Sequence, residues 1–195
     1  QVEMDPIVRA ALVHYQFETA HPFLDGNGRL GRLLITLMLI NDGVLHSCLF
    51  YPSFQFKKNR SEYYRQLTSV RERGTYEEWI EFFCNSLLES AKDSVGSLKN
   101  LVDLHNRSTA TITENLGRTA ANGQRLLGIL EEHPIVDTAF IAAQLDIGRS
   151  TASSLVKSFE ELGILRPLDE SRQRYRQYGY EEYLSILRED AEPIR

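Results

Sequence analysis

The chain has 195 residues, 42% apolar and 25% charged, with a net charge of −5. That length suits one or two domains and buries roughly 70% of the unfolded surface, so a true core is expected. The acidic balance excludes a broadly basic nucleic-acid coat. Two cysteines far apart, Cys48 and Cys84, exclude a disulfide scaffold and fit a reducing, cytoplasmic setting. The longest apolar run, residues 33–40, is far too short to span a bilayer, and no signal peptide is readable, so no membrane partner is expected. The chain opens on Gln1 rather than Met, and the expectation is that an N-terminal part precedes it.

The first hundred residues read as helices. Pro6 suits a first turn, and Ile7, Ala10, Ala11, His14, Phe17 and Glu18 continue one face up to His21, where Pro22 disfavours further helix. A polar, glycine-rich loop, 22–28, follows. Residues 29–41 are apolar on every side, the pattern of a buried central helix, stopped at Asp42 and Gly43. After a turn at 50–53, residues 54–71 read as a helix with Phe56, Tyr63, Tyr64 and Leu67 on useful spacings. Thr75 with Glu78 forms a capping-box start to a long helix through Trp79, Phe82, Phe83, Leu87 and Leu88, ending near 106.

The Ser-, Thr-, Ala- and Asn-rich stretch 106–118 reads as the domain boundary. Beyond it, helices are expected over 124–133, 138–145 and 150–162, with a turn at 146–148. Strands 164–168 and 174–178 flank a polar turn. This is the grammar of a winged helix-turn-helix, over 119–190. Arg149, Ser150, Thr151, Ser153, Ser154 and Lys157 fall on its recognition-helix positions, and Arg172, Arg174 and Arg176 on the wing. Residues 119–195 nevertheless carry nine basic and 13 acidic side chains, which favours a protein-contact or dimerisation module over unaided DNA binding.

The chemically dense segment is His21-Pro22-Phe23-Leu24-Asp25-Gly26-Asn27-Gly28-Arg29-Leu30-Gly31-Arg32. It is a loop entering a helix N-terminus. Backbone N–H groups at Gly26, Asn27 and Gly28 can converge on an anion, aided by the helix dipole. Arg29 and Arg32, three apart, share a face and can grip phosphate oxygens. Asp25 is the odd acid in an anion site, and most simply holds Mg²⁺ beside bound phosphates. His21 stands where a base could take a proton. The chemistry is that of nucleotidyl or phosphoryl transfer.

This segment resembles the signature of the Fic family, His-Pro-Phe-x-(Asp/Glu)-Gly-Asn-(Gly/Lys)-Arg, and the likeness extends over about residues 1–105. The resemblance implies a mainly α protein: an all-helical Fic catalytic core, here followed by the winged helix. It implies a protein adenylyltransferase that moves AMP from ATP to a Ser, Thr or Tyr hydroxyl of a protein target, including itself. Carried onto this chain, His21 deprotonates the hydroxyl and Asp25 holds Mg²⁺. Gly26, Asn27, Gly28, Arg29, Leu30, Gly31 and Arg32 seat the nucleotide, with Asn27 on the α-phosphate and the arginines on the outer phosphates. Phe23 points into the core and fixes the loop. Asn59, Tyr63 and Tyr64 resemble adenine-side contacts, although both tyrosines read equally well as ordinary core or surface aromatics. A homodimer and DNA are further partners that the winged helix admits. Two other functions fit the same residues: transfer of a different phosphate-containing group, and a nucleotide-sensing DNA-binding regulator. His14, His46, His105 and His133 read as surface or capping residues, Cys84 as a buried structural one, and Lys57, Lys58 and Arg60 as a solvated face.

Overall fold

The structure is a computed structural model that describes residues 4–46, 52–169 and 176–189. It is mainly α. In chain order the elements are α1 (Pro6–Ala20), α2 (Asn27–Asn41), α3 (Ser53–Lys58), α4 (Arg60–Arg73), α5 (Tyr76–Asn115), a 3-10 turn (Gly117–Thr119), α6 (Ala120–Glu132), β1 (Ile135–Asp137), α7 (Thr138–Leu145), α8 (Arg149–Glu161), β2 (Arg166–Pro167), β3 (Gln177–Gly179) and α9 (Glu181–Glu189). No described helix is long and apolar enough to cross a membrane. The chain divides into two compact units between Gly96 and Ser97.

In the first unit, α1 begins where Asp5 accepts hydrogen bonds from the N–H groups of Ile7 (2.8 Å) and Val8 (3.3 Å), with Pro6 in the first turn. Its inner face is Ala10, Ala11, His14 and Tyr15. The two alanines are fully buried, and their small size admits Trp79 of α5, whose indole N–H donates to the Ala11 carbonyl at 2.9 Å. Ile35 and Leu39 of α2, Phe56 of α3, Tyr63, Leu67 and Val70 of α4, and Phe83 and Leu87 of α5 complete this core.

A polar chain runs through it. His14 is 1% exposed, not the surface or capping residue expected. Its Nδ1 lies 3.0 Å from the Gly31 carbonyl and its Nε2 2.9 Å from the Tyr63 hydroxyl. A carbonyl only accepts, so Nδ1 carries the proton and Nε2 accepts from Tyr63. One imidazole therefore ties α1 to α2 and α4. Burial holds it well below its ordinary value, at about pKa 4, against the opposing hydrogen bond to Gly31 and with help from the Arg32 charge.

Three other local expectations need correction. First, α2 is not buried all round. Asn27, Gly31, Ile35 and Leu39, each four apart, form the buried ridge, while Leu33 and Leu37 on the far side are about half exposed. Apolarity on every side does not say how many neighbours a helix has. Second, the single helix expected over 54–71 breaks at Asn59, whose side-chain amide donates to the Gln55 carbonyl at 3.2 Å. Asparagine here competes with the helix ladder. Third, the Thr75 hydroxyl sits 2.7 Å from that of Ser69 and does not close a capping box.

In the second unit, α5 runs through most of the stretch expected as a linker and ends only at Asn115. Its serines and threonines bond back to the helix, as Thr111 does to the Arg107 carbonyl and Thr113 to that of Thr109. Leu104 and Ile112 are buried in the unit's core with Leu126, Leu127, Leu130, Ile141, Leu155 and Phe159. Tertiary packing thus overrides a composition that reads as loop. α7 matches its expected bounds and is capped by Asp137, which accepts from the Phe140 N–H at 2.7 Å. The sheet is antiparallel in the order β1-β3-β2, with Tyr178 opposite both Val136 and Pro167. β1 and α9 went unread in the sequence, and β2 is shorter than expected. Pro167 can stand in β2 because that strand is an edge. Cys48 and the expected wing residues Arg172 and Arg174 lie outside the described residues.

Two glycines of α6 should respond oppositely to substitution. A Cβ at Gly123 would stand 2.7 Å from Ile112 Cγ2 and 2.8 Å from Leu116 Cδ1, whereas one at Gly128 meets nothing within 4 Å. Gly123→Val should cost about 2 kcal/mol of overpacking, and Gly128→Ala should gain about 0.5–1 kcal/mol, both read by denaturant unfolding. His14 makes stability pH-dependent. Its folded pKa lies below the unfolded value of 6.5, so the unfolded chain binds the proton first. Its contribution is intact above about pH 6.5 and is lost as pH falls towards 4, by about 2–3 kcal/mol in total. Urea melts across that range should show a steeper decline for the native sequence than for His14→Gln.

Candidate anion-binding loop and its base

The site is the turn that joins α1 to α2. α1 ends on His21 in the left-handed region (φ 44°, ψ 56°), with the His21 N–H still bonded to the Phe17 carbonyl at 3.0 Å. Pro22 prevents continuation, and the left-handed residue swings the chain out of the helix axis. The imidazole of His21 is thereby exposed at the helix end.

Asn27 fixes the loop. It is buried, its Oδ1 accepts from the Phe23 N–H at 2.9 Å, and its Nδ2 donates to the Phe23 carbonyl. The side chain expected on a phosphate is thus spent on the backbone four residues earlier, and what Asn27 still offers an anion is its own N–H. The expected anchor, Phe23, is 52% exposed, with its ring centre 6.4 Å from that of Phe17. The reason is economy: a two-pronged amide clamp satisfies two backbone groups, which an apolar ring cannot do.

Gly26 precedes α2 at φ 83°, a conformation that favours glycine, and provides no side-chain cap. Its carbonyl accepts from the Leu30 N–H at 3.0 Å, which closes the first turn. The N–H groups of Asn27, Gly28 and Arg29 precede the first residue with an intrahelical acceptor, so they open outward at the positive end of the dipole. Arg29 is largely exposed and lies 3.6 Å from Asp25, a loose surface pair. Asp25 also accepts from the Gly26 N–H at 2.6 Å. Arg32 folds back over Gly28, where a Cβ would stand 3.1 Å from its guanidinium. Its Nε is buried without a hydrogen-bond partner. The turn therefore gathers His21, Asp25, Gly26, Asn27, Gly28, Arg29 and Arg32 into one stretch of surface.

Other sequence-predicted residues have different surroundings. Leu30 is partly exposed on α2, and Gly31 is buried against α1, where it serves packing. Tyr63 is 3% exposed, and its hydroxyl belongs to His14. Burial raises its pKa, assisted by the nearby Glu18 charge. Tyr64 is exposed, edge-on to Tyr63 at 5.2 Å, with the Arg60 guanidinium 5.6 Å from its ring centre. Asn59 caps the α3–α4 break. The sequence places Glu18 on the inner face of α1 with His14 and Phe17, one turn before His21, but gives it no functional role.

Among the described residues no three His, Cys, Asp or Glu side chains gather as a metal site. Asp25 alone suits a cation that draws its other ligands from phosphate and water, the habit of Mg²⁺.

Residues 1–39 match the Fic/DOC family. Over 96 residues the chain is 35% identical to Protein adenylyltransferase fic-1 of Caenorhabditis briggsae, an alignment covering 49% of this chain and 18% of that protein. It is 34% identical over 100 residues to the fic-1 protein of Caenorhabditis elegans, covering 51% and 18%. Against Protein adenylyltransferase Fic of Drosophila ananassae it is 37% identical over 82 residues, covering 42% and 15%. The chain spans less than a fifth of the length of these relatives, and the family match takes in α1, the turn after it and most of α2.

Proposed function

We propose that this chain carries the catalytic centre of a protein adenylyltransferase, which moves AMP from ATP to a Ser, Thr or Tyr hydroxyl of a protein. The observation that carries this reading is the open first turn of α2, led by a glycine at positive φ, flanked by two arginines and preceded by an exposed histidine. The names of its relatives support the same reading.

In this mechanism the N–H groups of Asn27, Gly28 and Arg29 receive phosphate oxygens, and Arg29 and Arg32 hold the outer phosphates. His21 takes the hydroxyl proton as the oxygen bonds to the α-phosphorus. The bond from the α-phosphorus to the bridging oxygen breaks, and pyrophosphate leaves with its charge met by the arginines. Asp25 would hold Mg²⁺, which neutralises phosphate charge when bound. Asn27 acts chiefly by keeping the loop in shape. Tyr64 and Asn59 remain candidates for the nucleoside side. Tyr63 supports them from the core.

The second unit is proposed to be a winged helix that contacts protein, with α8 as its presenting helix. Arg149, Ser150, Thr151, Ser153, Ser154 and Lys157 all lie on the exposed face of α8. Lys157 is 3.7 Å from Glu161, and the acidic balance of this region weakens its attraction to phosphate.

Labelled ATP, with and without Mg²⁺, should leave AMP on a protein only when the metal is present. His21→Ala should lower transfer by roughly 10²–10⁴ while ATP still binds, because the loop is untouched. Arg29→Ala and Arg32→Ala should weaken ATP more than AMP in calorimetry. Equal losses for both nucleotides would remove the arginines from the outer phosphates. Transfer of a different group, read as a different mass gain on the modified protein, would replace the proposed reaction.

A further inference from the structure

Glu18 lies in the seam between α1 and α2. Its Oε1 occupies the space over Gly31, where a Cβ would come within 2.4 Å of it. That oxygen is buried and has no hydrogen-bond partner. Arg32 is the next residue along α2, and its Nε is also buried and unpartnered. His21 follows Glu18 by three residues, at the left-handed position that ends α1. Two unpartnered buried groups of opposite charge thus share the seam, one turn from the exposed histidine. An unpartnered buried polar atom costs about 1–3 kcal/mol, and for packing alone an apolar side chain would serve as well.

We propose that Glu18 is a positioning residue, its carboxylate holding the Arg32 guanidinium and the His21 imidazole where the transfer chemistry uses them. This rests on the function proposed above, but part of its test does not. The groups that face Glu18 are His14 and His21 from α1, Arg32 from α2 and Tyr63 from α4. Burial raises the Glu18 pKa, while the charges of Arg32 and then His21 oppose it. His14 is uncharged across the neutral range.

The experiment titrates His21 by NMR in the native sequence, in Glu18→Gln and in Glu18→Asp. Removing the negative charge should lower the His21 midpoint by roughly half a pH unit. Aspartate keeps the charge and should keep the midpoint. The coupling is reciprocal, so His21→Ala should raise the titration midpoint of the Glu18 carboxyl, followed by its ¹³C shift. That variant alters an exposed side chain and serves even if Glu18→Gln does not fold. In transfer assays Glu18→Gln should lower kcat roughly tenfold and move the acid limb of its pH profile downward, with a smaller change in KM for ATP. An unchanged His21 midpoint in folded Glu18→Gln, or an unchanged Glu18 midpoint in His21→Ala, overturns the proposal. A native protein that transfers no AMP overturns the proposed function instead, and leaves the two titrations to decide whether Glu18 is coupled to His21.

Discussion

The close approach of α1 and α2 at Gly31 is the constraint on which the first unit depends. A Cβ there would meet Glu18 Oε1, His14 Cε1 and Phe17 Cδ1 all within 3.1 Å. Because the position is glycine, His14 can come close enough to donate to the Gly31 carbonyl, and His14 in turn accepts from Tyr63. Three helices are tied through one neutral imidazole. The same ridge of α2 carries Asn27 one turn earlier, so the residue that clamps the loop stands in register with the residue that sets the helix spacing.

The loop follows from that register. With α1 and α2 held side by side, only six residues connect them, and they reverse direction through two left-handed positions, His21 and Gly26. The first exposes an imidazole at the end of one helix. The second leaves the start of the other helix without a side-chain cap. A turn built this way has unsatisfied backbone donors on one side and an exposed imidazole on the other. Its shape is maintained by backbone and Asn27 rather than by burial of Phe23. The loop therefore offers a preorganised main chain, with Arg29 and Arg32 beside it.

In the second unit, a small sheet, the end of α5 and the four helices α6 to α9 close over Leu126, Ile141 and Phe159. Gly123 plays a part like that of Gly31, since it lets α6 lie against Ile112 and Leu116. The Ser108 hydroxyl, 2.7 Å from that of Tyr180, ties the end of α5 to the segment leading into α9. The polar composition of 106–115 becomes helix because one side of it is needed in this core.

Local chemistry is what the sequence determined by itself. Pro22, the glycines of the loop and the spacing of Arg29 and Arg32 announce a tight turn into a helix start with two arginines nearby, because these effects act within a few residues. The mainly helical fold and the bounds of α7 were legible for the same reason: capping and periodicity are short-range. Tertiary structure decided everything that required knowing a neighbour. Which side of the uniformly apolar α2 is covered depends on α1. Whether Tyr63 faces solvent or a histidine depends on His14, forty-nine positions away in the chain. Whether 106–115 is linker or helix depends on the core built by residues beyond it. Glu18 is the clearest case: the sequence puts it on the inner face of α1, and only the packing of Gly31 against it buries Oε1 without a hydrogen-bond partner.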